Sequence, residues 1–320
     1  MYDSNITMVT QIFLLGFQNQ HGVHFLIFCV LLGIYCLTVC GNFLIITLVS
    51  LSKNLHSPMY YYLSQLSVTD IMLTTNISPS MLYIIIDEGA PMSFEGCIAQ
   101  FYFFGVTECS ECLLLTIMSY DRYLAICNPL RYSSIMDHIL CLKLIIMSWL
   151  ISFTVILIHT ITICKMEFCG LNVIDHFFCD LTPLLDLICT DTSLVRTEVT
   201  LLCIPMLIIP FIIVIVSYVC IVYAILRIQS NTGRRKAFST CSSHLCVVSI
   251  FYGTLFCIYV LPSEGQSLTV SKILSLLYTV VTPLLNPIIY TLRNKDIKNA
   301  MGKMLENKNK SNALNKRKSN

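Results

Sequence analysis

The chain has 320 residues, of which 56% are hydrophobic and only 12% are charged. Because soluble domains have about 25% charged residues, this composition excludes a soluble globular protein and predicts that lipid surrounds most of the chain. The formal net charge of +2 gives no reason to expect nucleic acid as a partner.

Seven hydrophobic stretches follow one another along the chain, at 23–51, 59–86, 98–120, 139–164, 197–226, 237–262 and 267–292. Each reaches the length of about 20 residues that an α-helix needs to cross a bilayer. Their hydrophobicity is continuous and does not alternate, which favours helices over a β-barrel. The sequence therefore predicts an all-α membrane protein: a seven-transmembrane helix bundle over 23–292, with an N-terminal segment over 1–22 and a tail over 293–320.

The basic residues predict the orientation of this bundle. Of the 20 Lys and Arg residues, only Lys165, Arg196 and Lys272 fall on the side opposite to the C-terminus. For a protein of the plasma membrane, the positive-inside rule therefore predicts a cytoplasmic C-terminus and an extracellular N-terminus. Asn5, in the tripeptide Asn5-Ile6-Thr7, is a candidate glycosylation site on the predicted outside.

The tail begins with a candidate amphipathic helix. Its apolar residues share one helix face and alternate with lysines: Ile297, Ala300, Met301, Met304 and Leu305. This pattern predicts a short cytoplasmic helix that lies on the inner leaflet. Membrane lipid is therefore an expected partner.

Cysteines in the predicted outside segments are candidates for disulfides. Of the 17 cysteines, those outside the spans are Cys97, Cys169, Cys179 and Cys189. An extracellular location favours disulfides, and four cysteines allow three connectivities. His176, Cys179 and Asp180 could instead indicate a metal site, but Cys179 is better used in a disulfide, so no metal is expected.

Polar side chains inside the predicted spans are candidates for a functional core. They are Asn42, Asp70, Glu108, Glu111 and Asn286. Intramembrane carboxyl groups usually face the bundle interior and serve function, although a neutral, hydrogen-bonded structural carboxyl is the alternative. Glu108 and Glu111 are three residues apart and share one helix face. Asn42 and Asn286 can join Asp70 and Glu111 by hydrogen bonds across helices.

Prolines interrupt two of the predicted spans, the fifth at Pro205 and Pro210 and the seventh at Pro283 and Pro287. A proline in a helix frees a carbonyl group and introduces a kink. A kinked bundle with a polar centre is suited to switching between two packings.

The third span ends in the decapeptide 118–127, which contains Asp121 and Arg122. Charges at a span end are costly unless they have partners or a function, although a positive-inside anchor could explain the arginine alone. The sequence contains no His-Glu-x-x-His, no phosphate-binding glycine loop and no Gly-x-Ser-x-Gly. We therefore expect neither an enzyme nor a cofactor.

Together these motifs resemble the rhodopsin-like G-protein-coupled receptors and, within them, the olfactory (odorant) receptors. The similarity extends over about residues 10 to 300 and rests on Gly41-Asn42, LHSPMY at 55–60, MSYDRYLAIC at 118–127, Ser217-Tyr218, KAFSTCSSH at 236–244 and PLLNPIIY at 283–290. Ser119 departs from the family pattern, which usually has alanine there. The loop sequence HFFCD at 176–180 is similar to that of the tetrapod-type (class II) branch.

The resemblance implies disulfides between Cys97 and Cys179 and between Cys169 and Cys189. It also implies a volatile small-molecule ligand between the third, fifth, sixth and seventh spans, and activation of a stimulatory olfactory-type heterotrimeric G protein that raises cAMP. By position, the implied ligand-binding residues are Phe104, Gly105, Glu108, Cys109, Cys112, Leu202, Cys203, Met206, Tyr252, Leu255 and Tyr259. The implied residues for G-protein coupling and switching are Asp121, Arg122, Tyr123, Tyr218, Lys236, His244, Asn286, Pro287 and Tyr290, beside a polar core of Asn42, Asp70 and Glu111.

Glu108 is not part of the family motif. A protonated Glu108 would hydrogen-bond alcohols, aldehydes or ketones, whereas an ionised Glu108 would favour a cationic amine. We favour the neutral form, because the nearby Glu111 opposes a second charge.

Two other functions compete with that of an odorant receptor. A transporter or ion pathway could use Asp70, Glu108 and Glu111, but the sequence lacks the paired halves with broken helices that transporters often show. A receptor of the same superfamily outside olfaction is the other alternative, and its tissue of expression would distinguish it.

Overall fold

The computed structural model of the protein describes residues 10–17, 22–169, 172–259, 268–294, 296–304 and 306. The candidate glycosylation site Asn5 lies outside these residues. Of Lys236 and Tyr259 only the backbone is described, so the predicted roles of their side chains also lie outside the description.

Helices make up most of the described chain. In chain order they are α1 His24–Leu51, α2 Pro58–Ile86, α3 Phe94–Cys127, α4 Pro129–Ile135, α5 His138–Cys164, α6 Leu181–Leu185, α7 Ser193–Glu198, α8 Ile204–Leu226, α9 Asn231–Tyr259, α10 Leu268–Leu276 and α11 Thr282–Arg293. The π-helical segments Val199–Cys203 and Leu277–Val281 join α7 to α8 and α10 to α11. Within the described residues, seven long helical stretches therefore form the bundle, as the sequence predicts.

Not all seven stretches are equally apolar. Those long and apolar enough to cross a membrane by composition are His24–Leu51, Phe94–Cys127, His138–Cys164, Ser193–Leu226 and Thr269–Thr291. α2 and α9 have 29 residues each, but their described residues contain no long stretch of that apolarity. α2 packs against both α1 and α3 and buries Thr69, Asp70 and Thr74. A helix surrounded by other helices can carry such polar groups, because protein and not lipid is its solvent.

α3 is longer than the predicted span at both ends. Its first turn is capped by the Ser93 hydroxyl, which accepts a hydrogen bond from the Gly96 N–H at 3.1 Å. It ends at Cys127, directly before Asn128 and Pro129, because proline disfavours the helical conformation of the residue before it. Hydrophobicity alone does not indicate the polar end turns, so the helix extends beyond the apolar stretch 98–120.

α1 and α11 approach each other closely at Gly41. A Cβ atom at this position would lie 3.2 Å from Cβ and Cγ of Pro287. Beside it, Asn42 donates through Nδ2 to the Pro283 carbonyl at 3.2 Å. The Pro283 carbonyl would normally accept a helical hydrogen bond from the N–H four residues later, but Pro287 has no N–H. Asn42 thus satisfies the carbonyl that Pro287 leaves unpaired within α11.

A small sheet covers one end of the bundle, and the all-α prediction did not include it. β1 Gln11–Leu14 pairs antiparallel with β2 Ala90–Ser93 and parallel with β3 Val173–Ile174. Strands of two to four residues from three distant segments give no periodicity that a sequence pattern can reveal. The sheet fixes the N-terminal segment onto the loop after α5.

The tail helix predicted from amphipathicity packs against the bundle. Residues 296–304 are helical, and Ile297 and Ala300 are buried in the core cluster that also contains Tyr60 and Tyr290. Tyr60 donates to Asp296 Oδ2 at 3.0 Å. Part of the apolar face therefore contacts protein, whereas Met304 is 38% exposed and Leu305 lies outside the described residues.

Candidate functional site

A polar core joins three helices at the centre of the bundle. Asn286 on α11 donates through Nδ2 to both oxygens of Asp70 on α2 and to Glu111 Oε1 on α3. All three side chains are buried. Asn42, expected in the same core, instead donates to the carbonyls of Thr38 and Pro283. Its carboxamide therefore satisfies the backbone of α11, and neither of these two hydrogen bonds involves a carboxyl group.

Asp121 and Arg122 form an ion pair at the other end of α3. The Arg122 Nη2 atom lies 2.8 Å from Asp121 Oδ2, and Nε donates to the same oxygen at 3.2 Å. The second oxygen of Asp121 accepts from the Tyr132 hydroxyl at 2.8 Å. Burial and then the negative charge of Asp121 raise the pKa of Tyr132, which keeps this phenol protonated as a donor. Sequence reasoning missed Tyr132, since it lies on the short helix α4 outside any recognised motif.

Aromatic side chains from α8, α9 and α11 lie near this ion pair. Tyr218 on α8 is hydrogen-bonded to His244 Nδ1 on α9, and their rings stack with centroids 5.9 Å apart. Tyr290 on α11 is 1% exposed, and Tyr123 packs against the same apolar cluster. The predicted coupling residues that the structure describes are thus gathered at one end of the bundle, with Asn286 and Pro287 further along α11.

A cavity of about 390 Å³ lies between α3, α5 and α8, on the side of the bundle covered by the loop after α5. Among the residues expected to bind ligand, those lining it are Phe104, Gly105, Glu108, Cys109, Cys112, Cys203, Met206 and Leu255. Leu202 and Tyr252 are not among the lining residues. Tyr252 instead donates to the Cys112 carbonyl at 3.3 Å.

The fourth span forms a wall of this cavity that the sequence did not indicate. Val155, Ile156 and His159 of α5 line it, whereas none of the lining residues that the structure describes comes from α10 or α11. α5 can approach because α3 has Gly105 at the crossing: a Cβ atom there would lie 3.0 Å from Ile156 Cγ2. A glycine within a predicted span was the one sequence signal for this close contact.

The remaining lining residues outside the predicted set are Phe101, Asp180, Leu181, Val199, Ile204, Leu207 and Ile208. The lining is mainly apolar, which is typical of small-molecule sites. Its polar exceptions include Glu108, 9% exposed, and His159, 2% exposed. Neither carboxyl oxygen of Glu108 has a hydrogen-bond partner in the described part of the chain.

The loop after α5, at residues 165–169 and 172–192 of the described chain, forms a lid over the cavity end of the bundle. Disulfides join Cys97 to Cys179 and Cys169 to Cys189, so the pairing in the structure is the one the resemblance implies. Gln100 on α3 also holds the lid, because its Oε1 accepts from the Cys179 N–H at 2.9 Å. With Cys179 bonded to Cys97, its thiolate is not available to a metal.

Lys272 of α10 links the lid to the N-terminal segment. Its Nζ atom lies 2.5 Å from Asp175 Oδ1 and donates to the Gly16 carbonyl at 2.7 Å. The neighbouring His176 is buried against Phe177, with ring centroids 4.7 Å apart. Burial, and then the positive charge of Lys272, lowers the pKa of His176 to about 4. The imidazole is therefore neutral at physiological pH.

In the described ranges, no three His, Cys, Asp or Glu side chains are grouped as a metal site would require. The cavity walls and the polar core offer hydrogen-bonding groups and apolar surface. The site can therefore bind a small molecule by shape and a few polar contacts.

Comparisons with known proteins agree on one family. The family model described as "Olfactory receptor" matches residues 28–308. Human olfactory receptor 11L1 is 47% identical over 305 residues, which is 95% of each chain. Mouse olfactory receptor 5G9 is 46% identical over 303 residues, covering 95% of this chain and 96% of that protein. The crystal structure of squid rhodopsin is similar in fold, with a TM-score of 0.66, 16% identity and coverage of 91% of this chain and 87% of that one.

Proposed function

We propose that this chain, which belongs to the olfactory receptor family, binds a small volatile odorant in the cavity and then activates a stimulatory olfactory-type heterotrimeric G protein that raises cAMP. As a member of this family it is a multi-pass membrane receptor and not an enzyme. The transporter alternative is therefore set aside. The ligand, the G protein and the second messenger are the parts of the proposal that experiment must test.

One observation carries the proposal: α3 connects the cavity to the Asp121–Arg122 pair. The cavity-lining residues of α3 lie between Phe101 and Cys112, and Glu111 on the same segment reaches Asn286. At about 1.5 Å per residue, Glu108 and Arg122 are roughly 20 Å apart along the helix. A ligand that contacts α3 differently in two bundle packings shifts the population between them.

The Arg122 end of the bundle can rearrange into a second packing of its helices. Arg122 is held by Asp121, and the Tyr218–His244 contact joins α8 to α9 beside it. Movement of α9 away from α8 would break that contact and open the Arg122 end to the G protein. Pro210 within α8 and Pro287 within α11 are the kinks about which such a movement can occur.

We further propose that the cavity end is extracellular and the Arg122 end cytoplasmic. The distribution of basic residues supports this orientation, and both disulfides lie at the cavity end, which suits an oxidising exterior. Residues 1–22, with glycosylation at Asn5, would be extracellular, and residues 293–320 would be cytoplasmic at the lipid surface.

An odorant panel tested on cells that express the receptor decides between signalling and ion transport. We expect at least one odorant to raise cAMP, and this response to disappear in cells that lack stimulatory Gα subunits. An odorant-evoked ion current that persists without those subunits would contradict the proposal.

A further inference from the structure

His159 is a polar side chain of the cavity wall that the sequence did not indicate. It lies on α5, is 2% exposed, and its ring centroid is 6.0 Å from that of Phe101. Its Nε2 atom has no hydrogen-bond partner in the described part of the chain. A buried polar group without a partner lowers stability. An unpaired imidazole nitrogen beside a cavity therefore indicates that a bound molecule supplies its hydrogen bond.

Glu198 of α7 orients the His159 ring. Its Oε2 atom lies 3.5 Å from His159 Nδ1, and its Oε1 atom accepts from the Thr162 hydroxyl at 2.8 Å. A carboxylate beside Nδ1 favours the tautomer with its proton on Nδ1. In such apolar surroundings, burial of the neutral ring costs less free energy than burial of the imidazolium ion. The other ring nitrogen, Nε2, is then a hydrogen-bond acceptor.

Glu108 provides a second polar group on another wall. It belongs to α3, lines the same cavity and has two carboxyl oxygens without partners in the described part of the chain. None of the described residues that line the cavity is lysine or arginine. Glu108 and His159 thus offer acceptors from two helices, while the remainder of the lining is mainly apolar.

We propose that His159, oriented by Glu198, is a second hydrogen-bonding anchor of this pocket, and that the pocket selects a small, mainly apolar molecule with a hydrogen-bond donor, an amine or an alcohol. The inference rests on the proposed function of the cavity as the odorant site. A primary amine has enough N–H groups for both anchors. An alcohol donates to Nε2 and accepts from a protonated Glu108. Aldehydes, ketones and ethers have no donor, so they leave Nε2 unpaired.

Direct binding to the purified receptor in lipid nanodiscs tests this selection. The probes are a primary amine, a primary alcohol, an aldehyde and a methyl ether of equal chain length. We expect the amine or the alcohol to bind at least about tenfold more tightly than the ether and the aldehyde, which corresponds to about 1.4 kcal/mol. Preference for the amine would indicate an ionised Glu108, and preference for the alcohol a protonated one.

Variants separate an anchor from a structural side chain. His159→Phe retains the aromatic contact with Phe101 and should abolish the preference for donors, while His159→Asn should restore part of it. Glu198→Gln should weaken the preference, because the amide no longer favours a single tautomer. Ile156→Val is the matched control, because it removes a methyl group from the same wall and so enlarges the cavity. It should change the affinities for the alcohol and for the ether equally.

Two results would overturn the inference. If the ether or the aldehyde binds wild type as tightly as the alcohol and the amine, or if neither donor binds, the donor class is wrong. If His159→Phe still binds and keeps the wild-type preference, His159 is not an anchor. Binding is measured without a G protein, so tight donor binding combined with absent cAMP signalling in cells would count against the proposed coupling alone.

Discussion

Asn286 of α11 donates through one amide nitrogen to both carboxyl oxygens of Asp70 on α2, each at 3.1 Å. The same nitrogen lies 3.4 Å from Glu111 Oε1 on α3, so a single side chain joins three helices. Hydrogen bonds between membrane helices contribute about 1–2 kcal/mol. A contact of this strength can favour one packing of the bundle and still be rearranged when a ligand binds.

Asp70→Asn should shift the activation equilibrium. The substitution retains the side-chain size but removes the carboxyl group, which can bind a proton or a sodium ion, so basal activity should change and its dependence on sodium and pH should weaken. Basal and odorant-evoked cAMP, measured across sodium concentrations, provide the test. Asp87→Asn changes an exposed carboxylate at the end of the same helix and should have little effect. A wild-type response in Asp70→Asn would remove the core from the switch.

Arg122→Ala should abolish odorant-evoked cAMP while surface expression stays close to wild type. The guanidinium group binds Asp121 in the present packing, and we propose that it contributes to the G-protein site once released. Antibody staining of intact cells and a cAMP assay measure the two quantities separately. Arg131→Ala, which removes an exposed positive charge from the adjacent α4, is the control. Full signalling by Arg122→Ala would show that this arginine is dispensable.

Cys97→Ser and Cys179→Ser should each retain the receptor inside the cell. A disulfide typically contributes about 2–4 kcal/mol to stability, and this one fixes the lid to the first turn of α3. The fraction of receptor at the cell surface is the measurement. Cys164→Ser, at an exposed free cysteine, should reach the surface normally. Peptide mapping that finds Cys97 as a free thiol in the surface receptor would disprove the pairing.

Glu108 substitutions should reveal how the carboxyl group is used. Glu108→Gln keeps a polar group of the same size, so responses to neutral odorants should persist, whereas Glu108→Leu should weaken them. Concentration–response curves for alcohols and amines in both variants make the comparison. Loss of an amine response in Glu108→Gln would mean that the ionised form binds ligand. Identical odorant profiles in both variants and in wild type would exclude Glu108 from the pocket.

Acidification should destabilise the lid through His176. The folded pKa of about 4 lies below the ordinary value of 6.5, so between these pH values the unfolded chain binds a proton that the folded chain does not. The contribution of His176 to the free energy of unfolding is therefore complete above pH 6.5 and falls as the pH decreases toward 4. Thermal unfolding of the purified receptor across this range measures the slope. His176→Phe, which retains an aromatic ring beside Phe177, should flatten it, and an unchanged slope would assign the effect to other groups.

Much of the bundle was predictable because hydrophobicity is a local property. Each span needs only about 20 apolar residues to be recognised, and proline marks the end of α3 and the kinks of α8 and α11. The residues joined in the polar core, Asp70, Glu111 and Asn286, were predictable for the same reason, since a polar side chain within an apolar stretch must turn toward the interior. The ends of the spans were less predictable, as caps and polar turns extend α3 beyond its apolar segment.

The sequence by itself therefore determined the seven helices, the family and the residues that meet in the polar core, Asp70, Glu111 and Asn286. The tertiary structure alone decided which helices meet around the cavity. His159 belongs to its wall because α5 crosses α3 at Gly105, and Tyr132 reaches Asp121 because α4 packs against α3. The small sheet and the hold of Gln100 on the lid have the same origin. Membrane insertion depends on the composition of each segment, whereas a pocket depends on distances between residues far apart in the chain, which no local pattern encodes.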